Sequence, residues 1–343
     1  MDAVGVIAVV GACGPERLRY AKRLAKLTNR GFFPASRLAG SPDPAQEAAV
    51  LSSWTNPAAG AVVELPDEVP ATELIGTFGD FDDRTRLLAL VCVVDAAHML
   101  DDLHRDDYLP LRDADSGVAA PLAARAQLTV TQIEYASAIV LVNWKALTPP
   151  DLAVVMALLN HLSPHARLRL HRDAIAHLEP GEAYGVEQDR PGWVCFLNDD
   201  FDPHMTDPRV SAFRYEQVRP LHPGRFKQLL DDRIEPGEFG DVLRSAGFCR
   251  LATRASIVAQ WEHVGRVISL NPLAIDDRLE DEEELLALGQ DLAFVGLDLD
   301  HDGLVTALDE AALTDAEIAA GPTAWGMLPG PFPAWAKAAD RSE

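Results

Sequence analysis

The chain has 343 residues, of which 48% are hydrophobic and 24% charged, and a formal net charge of −23. That is the composition of a globular protein large enough for two domains. The acidity speaks against nucleic acid and against an anionic membrane surface, because both recruit clustered Lys and Arg. Four cysteines, at 13, 92, 195 and 249, form no C-x-x-C pair, so neither a ribbon-type zinc site nor a disulfide framework is expected; reduced thiols in a cytoplasmic protein are the simplest reading.

The first element is a β-branched run, Val4–Val10, ending at Gly11. Its apolar start lacks a basic flank and is too short to span a bilayer, so it reads as a buried strand. Helix follows from Pro15 to about Asn29, with apolar Leu18, Ala21, Leu24, Ala25 and Leu27. Ala45–Trp54 reads as helix, Ala61–Leu65 as strand and Ala71–Phe78 as a short helix. The continuous apolar run Leu87–Asp95 marks a strand covered on both faces. Ala123–Ala136 reads as helix, Ile139–Asn143 as strand, Asp151–Leu162 as helix and Arg167–Leu170 as a last strand. Strands alternating with helices imply a mostly parallel sheet, hence an α/β domain over 1–175.

Residues 176–206 have the charged, Gly- and Pro-rich texture of a linker, apart from Trp193–Leu197. From 207 to 343 the pattern changes to α+β. Strands are expected at Val210–Val218, Phe248–Thr253 and Leu292–Leu297, and helices at Pro223–Asp232, Asp281–Leu288 and Leu304–Ala312.

A strand, then Gly11, then a helix is the setting of a phosphate-binding loop. The pattern G-x-x-x-x-G-K-[ST] would need Gly, Lys and Ser/Thr where this chain has Glu16, Arg17 and Leu18. Glu16 is expected to bring a carboxylate into the anion cradle, where two like charges about 4 Å apart repel by roughly 4 kcal/mol at an effective dielectric near 20. Arg17 keeps the charge without the compact ammonium of lysine, and Leu18 cannot ligate Mg²⁺. Gly14 as helix cap, Pro15 at the first position and Glu16 at the positive helix end would explain the same residues structurally. Cys13, at a helix start, is placed where a thiolate is favoured.

Taken together, GACGPERLR (11–19), VCVVDAA (91–97), TQIEYASAIVLVNWKAL (131–147), RPLHPGRF (219–226), VLRSAGFCRLATR (242–254) and the AFVGLDLD…ALDEAALTDAEI segment (293–318) resemble the CobW-like family of P-loop GTPases. The resemblance covers nearly the whole chain. It implies a P-loop NTPase-like, mostly parallel sheet followed by a smaller α+β C-terminal domain, and work in zinc or cobalt homeostasis. It maps nucleotide-binding positions onto Gly11, Gly14, Arg17, Glu64, Asp95 and Asn143. The departures fall on the chemistry. Trp144 and Ala146 replace the family's lysine and guanine-reading aspartate, and the C-x-C-C metal loop is absent because residues 31–63 contain no cysteine. The expectation is a degenerate G domain with no catalytic residue, no metal ligands and no resident cofactor, acting on an unidentified protein partner. The alternative is an active GTP-binding metallochaperone that uses GTP and Mg through unusual motifs.

Three local patterns compete with that reading. DLDHDGLVTALD at 298–309 fits an EF-hand loop letter by letter, but a strand leads into it, so Asp298, Asp300 and Asp302 are expected to form a solvated turn and helix cap. HMLDDLHRDD at 98–107 gathers His98, His104 and aspartates without tight ligand spacing. His161 and His165 are separated by the helix-breaking Pro164 and read as a solvated helix end, whereas His222 reads as a His-Pro turn opening a helix.

Overall fold

The computed structural model describes residues 3–80, 84–111, 122–171, 184–185, 190–275, 289–333 and 335. The chain divides into two compact units, Met1–Cys195 with Phe201–Asp207, and Phe196–Asp200 with Pro208–Glu343.

The first unit runs β1 (Val4–Val10), α1 (Gly14–Thr28), β2 (Gly31–Phe33), α2 (Ala35–Leu38), α3 (Pro44–Ser53), β3 (Ala61–Glu64), α4 (Ala71–Asp80) and β4 (Thr85–Asp95). It continues with α5 (Met99–Leu103), β5 (Tyr108–Pro110), β6 (Leu122–Ala124), α6 (Arg125–Glu134), β7 (Ala138–Val142), α7 (Pro149–Leu162) and β8 (Arg167–Leu170). A short helix, α8 (Gly192–Leu197), carries the chain to the boundary between the units. Six strands make one sheet in the order β2-β3-β1-β4-β7-β8, every neighbouring pair parallel. All seven residues of β1 are buried, as a β-branched run covered on both faces requires. Helix α1 lays Arg17, Tyr20, Ala21, Leu24 and Ala25 against the sheet at helical spacing. It ends at Asn29, whose left-handed backbone (φ 53°) lets its N–H reach the Ala25 carbonyl.

This architecture is the α/β reading made from alternating strands and helices. Because β1 lies centrally, with β3 on one side and β4 on the other, its C-terminal end is a topological switch point, where open α/β sheets bind ligands.

The second unit contains β9 (Val210–Gln217), α9 (Pro223–Leu229), β10 (Asp241–Cys249), β11 (Ile257–Val264), β12 (Val267–Ile275), β13 (Gln290–Leu297), α10 (His301–Ala311), α11 (Asp315–Ala320) and α12 (Pro322–Trp325). Its five strands form an antiparallel sheet in the order β12-β11-β10-β13-β9. Phe213, Phe226, Trp261, Leu292, Phe294 and Leu304 belong to one buried cluster that joins the sheet to α9 and α10.

Three expectations need correction here. The strand placed at Phe248–Thr253 is the end of β10, which begins at Asp241 and gives way to a 3₁₀ turn at Ala252–Arg254. Its first half escaped notice because Arg244, Ser245 and Gly247 interrupt the apolar run. Helix α9 stops at Leu229 and continues as a π turn over Leu230–Ile234. Strands β11 and β12 were not expected, since Gln260, Glu262, His263 and Asn271 break their pattern. The helix expected at Asp281–Leu288 lies outside the described residues.

Candidate functional site

Four of the six residues mapped by the resemblance stand at the carboxyl ends of neighbouring strands. Gly11 follows β1, Glu64 ends β3, Asp95 ends β4 and Asn143 follows β7. Gly11 is required by geometry: its φ is +132°, and a Cβ there would lie 2.1 Å from the Val93 carbonyl oxygen.

The turn after β1 is short. Helix α1 starts at Gly14, with Cys13 as its N-cap residue, so the cap is one residue earlier than the sequence suggested and Pro15 occupies the second helical position. In a phosphate-binding loop the helix follows the whole G-x-x-x-x-G-K-[ST] motif; here it has wound back into it. Few amides remain for an anion. The Gly14 N–H donates to the Ala12 carbonyl (3.2 Å), Pro15 has none, and the Arg17 N–H donates to the Cys13 carbonyl (2.9 Å).

Arg17 dominates the site. Its side chain is turned inward and the residue is only 5% exposed. Nε donates to Glu64 Oε1 at 3.2 Å, and Nη1 donates to both the Gly11 carbonyl and Asp67 Oδ1. Glu64, itself 3% exposed, uses its other oxygen to accept the Ala35 N–H at 3.0 Å. Asp67 is shared with Arg125 (3.4 Å), and Arg125 pairs in turn with Asp107 (2.9 Å). Bonds from Arg105 and Arg125 hold the Asp107 carboxyl well below its usual range.

Glu16 is not the residue that fills the turn. Its carboxylate, 21% exposed, pairs with Arg19 and still lies near enough to Cys13 to raise that thiol's pKa. The cation at the next position enters the turn because a carbonyl and two carboxylates converge there to receive it. Leu18 is 40% exposed and offers no oxygen to a metal.

A second group lies at the ends of β4 and β7. Asn143, in a left-handed conformation (φ 54°), donates from its side-chain amide to Asp95 Oδ2 at 2.7 Å. Asp95 Oδ1 accepts the Ala97 N–H (3.0 Å), and His98 Nδ1 approaches Oδ2 at 3.2 Å. The hydrogen bond to Asp95 raises the pKa of this exposed histidine. Trp144 turns aside to donate its indole N–H to the His171 carbonyl (3.0 Å). Between the two groups is a cavity of about 10 Å³ bordered by Ala12, Cys13, Asp95, Asp102 and Thr129, room for roughly one water molecule.

Cys13 is not the activated thiol its position suggested. Burial, then the Glu16 and Asp95 carboxylates, push its pKa up to about 12, and its S–H donates to the Val93 carbonyl at 3.2 Å. Burial outweighs the helix end.

The other local patterns take part in capping and packing. Asp300 caps α10 by accepting the Gly303 N–H (3.1 Å), and β13 leads into that turn, as expected. His222 caps α9, its Nδ1 accepting the Arg225 N–H (3.2 Å), also as expected. His161 differs: it is buried within α7 and hydrogen-bonds the Ala157 carbonyl at 2.8 Å, while His165 is exposed. The helix reaches Leu162 before Pro164 can break it, which leaves His161 on the buried side. Among the described residues no three His, Cys, Asp or Glu side chains are grouped to hold a metal, and no helix is long and apolar enough to cross a membrane.

Asp67 and Arg125 escaped the sequence reading. Asp67 had a signal, three residues after Glu64 in ELPDE; Arg125 had none.

Residues 210–312 match the family model described as the cobalamin synthesis protein cobW C-terminal domain. Over 278 residues the chain is 24% identical to zinc-regulated GTPase metalloprotein activator 1 of Dictyostelium discoideum, covering 74% of this chain and 58% of that protein. The second unit carries a CobW C-terminal domain. Two solved structures align with this chain at 14% identity, each covering 91% of it and 100% of the other chain. They are a Zn(II)-bound triple mutant of the YjiA GTPase, with a TM-score of 0.41, and Zn(II)-bound YjiA GTPase from E. coli, with a TM-score of 0.37.

Proposed function

We propose that this CobW-like protein serves zinc or cobalt homeostasis as a binding or regulatory module in the cytoplasm, working through a protein partner and not through GTP turnover. The observation that carries this reading is the buried Arg17, bonded to Gly11, Glu64 and Asp67 at the place where a phosphate would lie. An entering phosphate would have to draw the guanidinium away from two carboxylates that already satisfy it, or lie beside those carboxylates and be repelled.

The residues present do not fit a magnesium nucleotide. Leu18 has no metal-binding side-chain oxygen, Pro15 has no N–H and those of Gly14 and Arg17 are taken by the Ala12 and Cys13 carbonyls, and the Ala146 side chain cannot accept from a guanine base. No hydrolytic step is assigned to the chain. The name of the Dictyostelium relative links that protein to zinc and GTP, and this motivates the metal-homeostasis setting.

Isothermal titration of the purified protein with GTP and ATP, with and without Mg²⁺, tests the reading. The expected result is no Mg²⁺-dependent binding in the micromolar range. Micromolar, Mg²⁺-dependent binding with turnover that disappears in Arg17→Ala would overturn it and establish an active GTP-binding metallochaperone.

A further inference from the structure

The second unit carries a segment of its own chain laid across one face. Beyond α12 the sequence Pro329-Gly-Pro-Phe-Pro333 has no regular secondary structure, yet its aromatic residue is buried. Phe332 is 9% exposed and packs against Phe226 of α9, with ring centroids 5.9 Å apart. Arg254, in the 3₁₀ turn after β10, donates from Nη2 to the carbonyls of Phe332 (3.2 Å) and Pro333 (2.6 Å). The same guanidinium lies 4.2 Å from the ring centroid of Trp335. The Trp335 indole N–H donates to the carbonyl of Leu270 at 2.9 Å, on β12, the edge strand of the sheet.

These contacts have the form of peptide recognition. One cation reads two consecutive carbonyls and an indole face, an aromatic wall receives a phenylalanine, and a strand edge accepts the indole N–H. Prolines keep such a segment from folding on itself and lower the cost of ordering it. The seated segment also leaves something unused: Arg254 Nη1 is buried and makes no hydrogen bond among the described residues. A segment with an acceptor at that point would satisfy the site more fully.

We propose that the face formed by α9, Arg254 and the β12 edge is a docking site for a proline-flanked Phe/Trp segment of a partner protein, and that Phe332, Pro333 and Trp335 of this chain occupy it in cis. The tail is then a competitor that a partner must displace, preferably with an acidic group beside its Phe-Pro pair. The proposal concerns the second unit and is independent of the nucleotide reading.

The test uses a fluorescent peptide with the sequence of residues 328–338 and the chain cut after Gly330, with binding followed by anisotropy. The cut chain should take up the peptide, and the intact chain at least about tenfold more weakly, because the tethered tail competes at high effective concentration. Arg254→Ala in the cut chain should weaken binding at least about tenfold, through loss of two charge-assisted hydrogen bonds and the cation–π contact. If the cut chain is unfolded by circular dichroism, Trp335→Ala in the full chain replaces it. A folded variant that ignores the peptide, or binds it equally well with Arg254→Ala, overturns the proposal. So does loss of folding in both variants, which would make the tail a fixed part of the core.

Discussion

Replacing Arg17 with alanine probes the centre of the site. The arginine and glutamate side chains are 6% and 4% exposed, so Arg17→Ala strands Glu64 in the interior with only the Ala35 N–H to support it. Breaking a buried pair by removing one partner costs about 3–5 kcal/mol. Asp67, with a side chain 32% exposed, regains water, which places the expected loss near the lower end, about 3 kcal/mol. At about 2–4 °C per kcal/mol for a unit of this size, the corresponding transition should fall by roughly 6–12 °C. Replacing both members by neutral groups of similar volume, Arg17→Met with Glu64→Gln, should recover about 2 kcal/mol of that loss, since a buried pair and a well-packed neutral pair are often close in energy. Urea unfolding followed by far-UV circular dichroism, with calorimetry for the transition temperature, measures both effects. An Arg17→Ala loss under about 1 kcal/mol, or purely additive effects in the double variant, would refute the view that these groups lock the turn.

Three further outcomes follow from the geometry. His222 can cap α9 only while its Nδ1 is unprotonated, and burial followed by the nearby Arg225 lowers its pKa; burial likewise lowers that of His161. The unfolded chain therefore takes up these protons first, so stability should drop as pH falls through about 6.5 and level off below the folded values. His222→Asn, which can cap without titrating there, should flatten that slope in urea titrations between neutral and mildly acidic pH, while His222→Ala should cost about 1 kcal/mol at neutral pH. Gly11→Ala should destabilise by at least about 3 kcal/mol in a thermal-shift measurement, because its Cβ would collide with backbone at a positive φ. Cys13 should react with a disulfide reagent at mildly alkaline pH at least about a hundredfold more slowly in the native chain than in urea, and rapid native labelling at Cys13 would contradict its raised pKa.

The long elements of the first unit were legible because its central strands are continuous apolar runs and its helices carry clear stripes, whereas the three-residue strands β2, β5 and β6 and the short helices α2 and α5 were too brief to leave a pattern. Leu87–Asp95 could hardly be anything but a covered strand, and β4 contains it. The second unit was harder to read. Its sheet places Arg244, Glu262 and His263 within strands, and their polarity hid β11 and the first half of β10. At the site, the letters located the turn but misassigned its occupant. Glu16 and Arg17 are adjacent, and helical rotation alone decides which of them faces the sheet. The stripe continued by Tyr20, Ala21 and Leu24 includes position 17 and excludes 16. That periodicity was present in the sequence. The receiving carboxylates, Glu64 and Asp67, come from a distant strand end that no local pattern ties to α1.

The early start of α1 at Gly14 bears on what it would take to turn this segment into an open phosphate loop. Writing Gly, Lys and Thr at positions 16, 17 and 18 would restore the letters of the motif but leave Pro15 inside the first turn of the helix. Unwinding that first turn would forfeit its hydrogen bonds, including the one from the Arg17 amide to Cys13. Opening this turn into a loop therefore calls for several changes made together, in the backbone as well as in the letters.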